Sequence, residues 1–333
     1  GQGHGKDPAP VTHHADPALG TLLLPFKTGQ LKWPQSGGAL FLRARAGEAL
    51  RDVVRSDLLC EQSYKPAADA LLHEGWQMCT AEQADASRFP LVLVLPPRQR
   101  QEARALLARA VERCAPGGIV VACMANDEGA RSGESDLEAL AGLAGNITKN
   151  HCRVYWSTVD PTRCDAALLA AWRAGDAPRP ILEGRFASRP GVFAWDRIDP
   201  ASALLAAHLP STLAGNAADL GCGFGYLAAE LLQRCPGISS LDLYEAEARA
   251  LDLARRNLAP FADRLPLGFE WHDVTAGLPK RYDVIVSNPP FHEQGSMDRP
   301  DIGRAFIVAA AEALKPGGRL WMVANRHLPY ESV

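Results

Sequence analysis

One stretch of this chain is written twice. Leu91-Val92-Leu93-Val94-Leu95 is followed by Pro96-Pro97, a helical stretch over 101–114, Pro116-Gly117-Gly118, an apolar run over 119–124 and Ala125-Asn126. Near the other end the order recurs: an apolar run over 282–286, Pro289-Pro290, a helical stretch, Pro316-Gly317-Gly318, a strand and Ala324-Asn325. A strand apolar at every position is what a parallel sheet covered on both faces requires. Strands alternating with helices place both copies in the α/β class. The repeat therefore predicts two tandem Rossmann-like units with parallel-rich sheets, and 333 residues are enough for two cores. The competing reading is coincidence, because Pro-Gly-Gly is a common stop after a helix.

The copies differ where chemistry would sit. The first has Leu95 where the second has Asn288, and it lacks the run Asp219-Leu220-Gly221-Cys222-Gly223-Phe224-Gly225. Glycines there let the backbone turn sharply and approach a ligand with no Cβ in the way. Their spacing departs from the dinucleotide pattern G-x-G-x-x-G. Asp219, at the strand end, suits an amino-bearing ligand better than a pyrophosphate, which prefers bare helix-start amides. Glu245 closes the next strand, roughly 20 residues past the glycines, where an acidic side chain accepts ribose hydroxyls. Asp273 follows a third strand and is placed to accept from an adenine amino group. Each has a plainer reading: Asp219 as a turn former, Glu245 beside a helix cap, Asp273 as the cap of the following turn.

Ser287-Asn288-Pro289-Pro290-Phe291-His292 ends the strand over 282–286. Prolines cannot donate hydrogen bonds and hold a rigid backbone, so carbonyl oxygens face outward. The Asn288 amide oxygen and the Pro289 carbonyl together can accept both hydrogens of a planar NH2 group, and Phe291 offers a face for a base. Pro290 and His292 complete the substrate side. The plainer reading is a rigid turn with a buried Phe.

These residues resemble class I S-adenosylmethionine-dependent methyltransferases that act on amino nitrogens. The chain is most similar to the bacterial ribosomal RNA guanine-N2 methyltransferases, which carry Ser-Asn-Pro-Pro-Phe-His, Pro/Ser-Gly-Gly, Ala-Asn and Leu-Pro-Tyr in this order. The resemblance is specific over 191–330 and looser before it. It implies an α/β protein of two tandem methyltransferase folds: a degenerate, RNA-binding or structural unit over 21–175 and a catalytic unit over 185–333. It also implies S-adenosyl-L-methionine as cofactor, Asn288, Pro289 and Phe291 as catalytic residues, and ribosomal RNA, most simply the small-subunit 16S rRNA, as substrate. The family's sheet gains two further strands after the Ala-Asn strand, and these are expected to be missing from the sequence up to Val333. The alternatives are N-methylation of another planar amine (a large-subunit guanine, a release-factor glutamine or a DNA adenine) and a non-catalytic RNA-binding factor.

The whole chain bounds the partners. Its formal net charge is -3, so contact with nucleic acid must come from a local basic surface. Two segments qualify: Lys149, His151 and Arg153 beside Tyr155-Trp156, and the run from Arg185 to Arg197 with Phe193 and Trp195. Eight cysteines without a C-x-x-C read as reduced thiols, with no metal cluster or disulfide framework expected. No apolar run is long enough to span a bilayer. A cytoplasmic monomer is the expectation. Gly1 to Gly20 reads as a loose lead-in, Gly129 to Gly133 as a polar loop, and Asp176-Ala177-Pro178-Arg179-Pro180 as the junction between units.

Overall fold

The computed structural model describes residues 16–290 and 300–324. The lead-in turns helical sooner than its composition suggests. Asp16 caps α1 (Pro17–Lys27) by accepting from Leu19 N, with Pro17 at the first position, where no amide hydrogen is needed.

The first unit has seven strands: β1 (Ala39–Leu42), β2 (Leu58–Glu61), β3 (Gln77–Met78), β4 (Phe89–Val94), β5 (Cys114–Ala125), β6 (Gly145–Lys149) and β7 (Cys152–Thr158). Their order is 3-2-1-4-5-7-6, parallel except where β7 pairs with β5 and β6. The helices α2 (Lys65–His73), α3 (Ala81–Asp85), α4 (Arg100–Arg113), α5 (Ala130–Ala141) and α6 (Ala166–Ala174) connect or flank them. Alternate residues of β1 and β4 enter opposite cores: Phe41, Leu91 and Leu93 join α1, while Leu40, Leu42, Val92 and Val94 join α4 and α5. Each such side chain contributes roughly 1.5–3 kcal/mol on burial.

The chain crosses over at 175–180 into a hairpin of β8 (Arg179–Ile181) and β9 (Phe186–Ser188), whose Ile181 and Phe186 already belong to the second unit's core. There α7 (Pro200–His208), β10 (Ala214–Leu220), α8 (Tyr226–Arg234), β11 (Gly237–Glu245), α9 (Ala248–Leu258), β12 (Leu267–Trp271), β13 (Tyr282–Ser287), α10 (Pro300–Glu312) and β14 (Leu314–Met322) follow. Among the described residues this sheet has the order 12-11-10-13-14, all parallel. It is the 3-2-1-4-5 portion of the first sheet.

The strand registers make the duplication residue by residue. Leu42 faces Val94 and Glu61, as Leu220 faces Ser287 and Tyr244. Hence Arg43 and Arg45 stand on the positions of Gly221 and Gly223, Gln62 on that of Glu245, Leu95 on that of Asn288, and Arg98 on that of Phe291. Pro116-Gly117-Gly118 and Pro316-Gly317-Gly318 do not end helices. They bulge inside β5 and β14, shifting the register against β4 and β13, with Gly117 and Gly317 both at φ +79.

Equivalent points of the two units touch. Lys65 N donates to Ala246 O (2.8 Å) and its counterpart Ala248 N to Ser63 O (2.9 Å), closing an antiparallel bridge at Tyr64 and Glu247. Arg249 reaches from α9 to Glu102 at the start of α4 (2.9 Å). This reciprocal contact turns the strand ends of both sheets toward one shared cleft.

Two basic segments noted in the sequence resolve differently. Arg153 is paired with Glu134, and Tyr155 and Trp156 are core residues, so they form no stacking surface. Arg131 lies in the first turn of α5, not in a loop. Arg185, Arg189 and Arg197 pair with Glu230, Asp176 and Asp196. The eight cysteines are free.

Candidate active site

The cleft, about 1350 Å³, lies at the carboxyl ends of β10, β11 and β13, where open α/β sheets bind ligands. Gly221, Gly223, Glu245, Asp273, Asn288, Pro289 and Pro290 all line it. Phe291 and His292 fall outside the described residues.

The glycine loop is fixed from below. Gly221 N and Cys222 N both donate to Tyr244 O (2.8 and 3.1 Å). Gly223, at φ +55, has nothing within 4 Å of where a Cβ would stand, so that face of the loop is open to a ligand. Gly225 does a different job from the one its motif suggests. It is absent from the cleft wall, sits at φ +101, and a Cβ there would come within 2.6 Å of Leu258 Cδ2. Its lack of a side chain brings α8 against α9.

Glu245 accepts Gly223 N at Oε1 (2.9 Å) and Glu247 N at Oε2 (2.8 Å). Those bonds hold both oxygens on the cleft wall with acceptor capacity left over, while burial raises the carboxyl's pKa. Asp219 lies beneath the loop, 1% exposed, rather than on the cleft surface. Neither of its oxygens makes a hydrogen bond of normal geometry among the described residues, and burial, then the nearby Glu245 charge, outweighs the pull of the Ala228 amide and pushes its pKa up to about 8. Asp273 does cap the next turn, Oδ1 accepting from Thr275 N (3.0 Å) and Oγ1 (2.6 Å), and it faces the cleft as well.

Asn288 is held by residues that sequence reasoning did not connect to it. Its Nδ2 donates to Asp199 Oδ2 (2.8 Å) and Ser202 Oγ (2.9 Å). The same Asp199 oxygen accepts Ser202 N and caps α7. With the amide hydrogens so directed, what Asn288 offers to a ligand is its Oδ1. Ser287 Oγ donates to Leu220 O (2.7 Å), locking the ends of β13 and β10 together. Two further cleft residues were not singled out: Phe306 of α10, whose ring lies 3.4 Å from the Cβ position of Gly221, and His272, bonded to Gly277 O (2.6 Å) and edge-on to Tyr244.

Three of these observations fit S-adenosylmethionine. The open face of Gly223 admits a ligand against the backbone, Glu245 presents carboxylate oxygens, and Asp219 is a buried carboxyl that a cationic amino group or its water shell would satisfy. The described residues contain no cluster of three or more His, Cys, Asp or Glu that would hold a metal ion, and no helix long and apolar enough to cross a membrane.

Known proteins are similar to this chain over most of its length. The Methyltransferase small domain family matches residues 183–333. Ribosomal RNA small subunit methyltransferase C of Pseudomonas paraeruginosa is 33% identical over 285 residues, spanning 80% of this chain and 84% of the relative. The protein of that name from Shewanella pealeana is 31% identical over 265 residues, covering 79% and 75%. A solved T. thermophilus 16S rRNA guanine-N2 methyltransferase, in complex with AdoMet and guanosine, superposes with a TM-score of 0.75 over 96% of this chain and 86% of its own, at 23% identity, and so shares the fold of both units. Identity of that degree across both units, with the glycine loop, Glu245 and Asn288 gathered on one cleft, makes this chain a member of the ribosomal RNA small subunit methyltransferase C family of S-adenosylmethionine-dependent methyltransferases.

Proposed function

We propose that this enzyme methylates the exocyclic N2 of a guanine in 16S rRNA, with the second unit catalytic and the first supporting RNA. The observation that carries the reading is the orientation of Asn288: Asp199 and Ser202 take its amide hydrogens, so its Oδ1 is the acceptor at the end of β13. A guanine amine is a poor nucleophile because its lone pair is delocalised into the ring. Asn288 Oδ1 and the Pro289 carbonyl accept its two N–H groups, which fixes the nitrogen for in-line attack and stabilises the positive charge that grows on it. Bound S-adenosylmethionine supplies a methyl group on a sulfonium, an electrophile that needs no further activation. Gly221, Gly223, Glu245 and Asp273 hold that cofactor, with Asp219 answering its charge from below the loop. Phe291 stacks the extruded base, beside Pro290 and His292.

Purified 30S subunits and naked 16S rRNA, incubated with enzyme and labelled cofactor, should yield N2-methylguanosine at one position by mass spectrometry. Asn288→Ala should lower the rate by roughly 10²–10³ while calorimetric cofactor affinity stays near wild type. Label transferred instead to 23S rRNA, DNA or release factor would replace the substrate, and wild-type turnover by Asn288→Ala would remove the mechanism.

A further inference from the structure

The first unit's counterpart of the donor site has been rebuilt with arginines. Gly221, Gly223 and Phe291 become Arg43, Arg45 and Arg98, and all three arginines line the cleft shared with Asn288. The three are not equivalent. Arg43 is half-buried and donates to Leu95 O (3.0 Å), filling the space before the counterpart of Asn288. Arg45 is paired with Asp16 (2.9 Å). Arg98 is exposed and has no ion pair or hydrogen bond to any described residue. It follows Pro96-Pro97, whose rings restrict the backbone leading into it.

Phe193 lines the same cleft and is 65% exposed. Its loop is held firmly. Ala194 sits at φ +48 and Gly191 at φ +91, and a Cβ on Gly191 would run into Glu102, the residue that Arg249 ties across the units. Backbone strain of this kind persists only where the surroundings over-determine it. Here it displays a large aromatic ring to solvent at the mouth of the site.

We propose that Arg98 and Phe193 are the two ends of a grip on single-stranded RNA: Arg98 pairs with a backbone phosphate beside the target nucleotide, and Phe193 stacks a neighbouring base. The chemistry matches on both sides. A guanidinium is suited to a phosphate, and an aromatic face accepts any base without regard to sequence. The grip rests on the function proposed above, and it gives a molecule of net charge -3 a local contact for a polyanion.

The test uses the full-length enzyme. Anisotropy of a fluorescein-labelled single-stranded RNA, without cofactor, is measured for wild type, Arg98→Gln, Arg98→Lys, Phe193→Ala, Phe193→Trp and Arg131→Gln, the last an exposed arginine outside the cleft wall. Arg98→Gln should weaken binding about 5- to 10-fold and reduce the salt slope by about 1, with Arg98→Lys intermediate. Phe193→Ala should weaken it roughly 10-fold, Phe193→Trp should restore it, and Arg131→Gln should change nothing. Turnover on 30S subunits should show the same losses in KM with kcat and cofactor affinity kept. Unchanged affinity and salt slope in Arg98→Gln, or losses equal to those of Arg131→Gln, would overturn the grip. RNA binding that depends on Arg98 and Phe193 without formation of N2-methylguanosine would support the grip and overturn the function proposed above.

Discussion

The Asp199 carboxylate and the Asn288 amide meet at 2.8 Å across 89 residues of sequence, and the same oxygen caps α7 through Ser202 N. One atom thus anchors a helix and sets which way the Asn288 amide faces. Asp199→Ala removes both. Loss of the cap costs about 1 kcal/mol, a fall of a few degrees in Tm. Freed to rotate, Asn288 should lose at least tenfold in kcat with cofactor affinity kept. Asp199→Asn still presents an oxygen to Ser202 N and Asn288 Nδ2 and should keep more activity than Asp199→Ala. Steady-state kinetics beside a thermal melt separate the two effects, and equal kcat in both variants would dismiss the positioning role.

Gly223 and Gly225 look alike in the motif and should fail in different ways. Alanine at 223 meets open space but must hold φ +55, a left-handed conformation that costs about 1 kcal/mol, so the protein stays folded with a small loss of Tm while its methyl group enters the cofactor's side of the loop. Affinity for S-adenosylmethionine should fall at least tenfold. Alanine at 225 meets Leu258 at φ +101, so Gly225→Ala should lower Tm by several degrees, since overpacking costs about 1–3 kcal/mol. Calorimetry and thermal melts on the pair check the division.

Much of this was readable from the sequence because it is local. Apolar runs at Leu91–Leu95 and 282–286, the paired prolines and the repeated Pro-Gly-Gly each impose structure within a few residues. What could not be read is long-range. Nothing near Asp199 announces Asn288, and only the matching registers of β1 against β4 and β10 against β13 show that arginines replace the loop glycines. Pro116-Gly117-Gly118 misled because a bulge and a helix stop use the same residues; the pairing of Leu91 with Ile119 decides between them. Tyr155 and Trp156 sat beside basic residues in the sequence, but a strand covered on both faces buries each in a different core. Gly225 carries the motif's spacing while its reason is helix packing.

Glu245→Gln is a mild change with a built-in control. Gln62, its counterpart, accepts Tyr64 N at 2.9 Å as Glu245 accepts Glu247 N at 2.8 Å, so an amide oxygen fits this turn. The fold should hold, but Gly223 N loses the carboxylate oxygen it donates to (2.9 Å) and meets the amide's NH2 instead, which loosens the glycine loop as well. The cofactor would lose a charged acceptor for hydroxyl groups, worth about 1.5–3 kcal/mol, and calorimetric affinity should drop roughly 10- to 100-fold. Unchanged affinity would move the cofactor's sugar away from Glu245.

Arg249 links the units ionically. It contacts Glu102 (2.9 Å) and Glu247 (2.6 Å), and burial raises the Glu102 pKa even beside this arginine. Arg249→Ala removes the guanidinium shared by two carboxylates at the interface, where Glu247 keeps Ser63 Oγ (3.1 Å) and Glu102 the charge of Arg43, a loss of up to about 3–5 kcal/mol where a buried pair is broken. Tm should fall, and limited proteolysis should cut sooner at 176–180, where the chain passes between units. Equal proteolysis of wild type and variant would show that the backbone bridge at Tyr64 and Glu247 suffices.

Asp219 makes the cofactor-free protein sensitive to pH in a definite direction. Its carboxyl titrates at about 8 in the fold, against the usual 3.8, with burial the main cause and Glu245 the second. A raised carboxyl pKa means that the folded state prefers the proton. The associated stability is full below about pH 4 and is lost progressively as pH rises toward 8, where the unfolded chain would already be ionised. Cofactor-free wild type should therefore lose Tm between pH 5 and pH 8.5, and Asp219→Asn, which carries no charge to bury, should lose much less. A cationic amino group near Asp219 favours the ionised form, so cofactor binding at pH 7 should release a proton, seen as a binding enthalpy that varies with the buffer's ionisation heat. Asp219→Asn should abolish that variation. Parallel Tm profiles together with buffer-independent enthalpies in wild type would show that Asp219 is already ionised without cofactor.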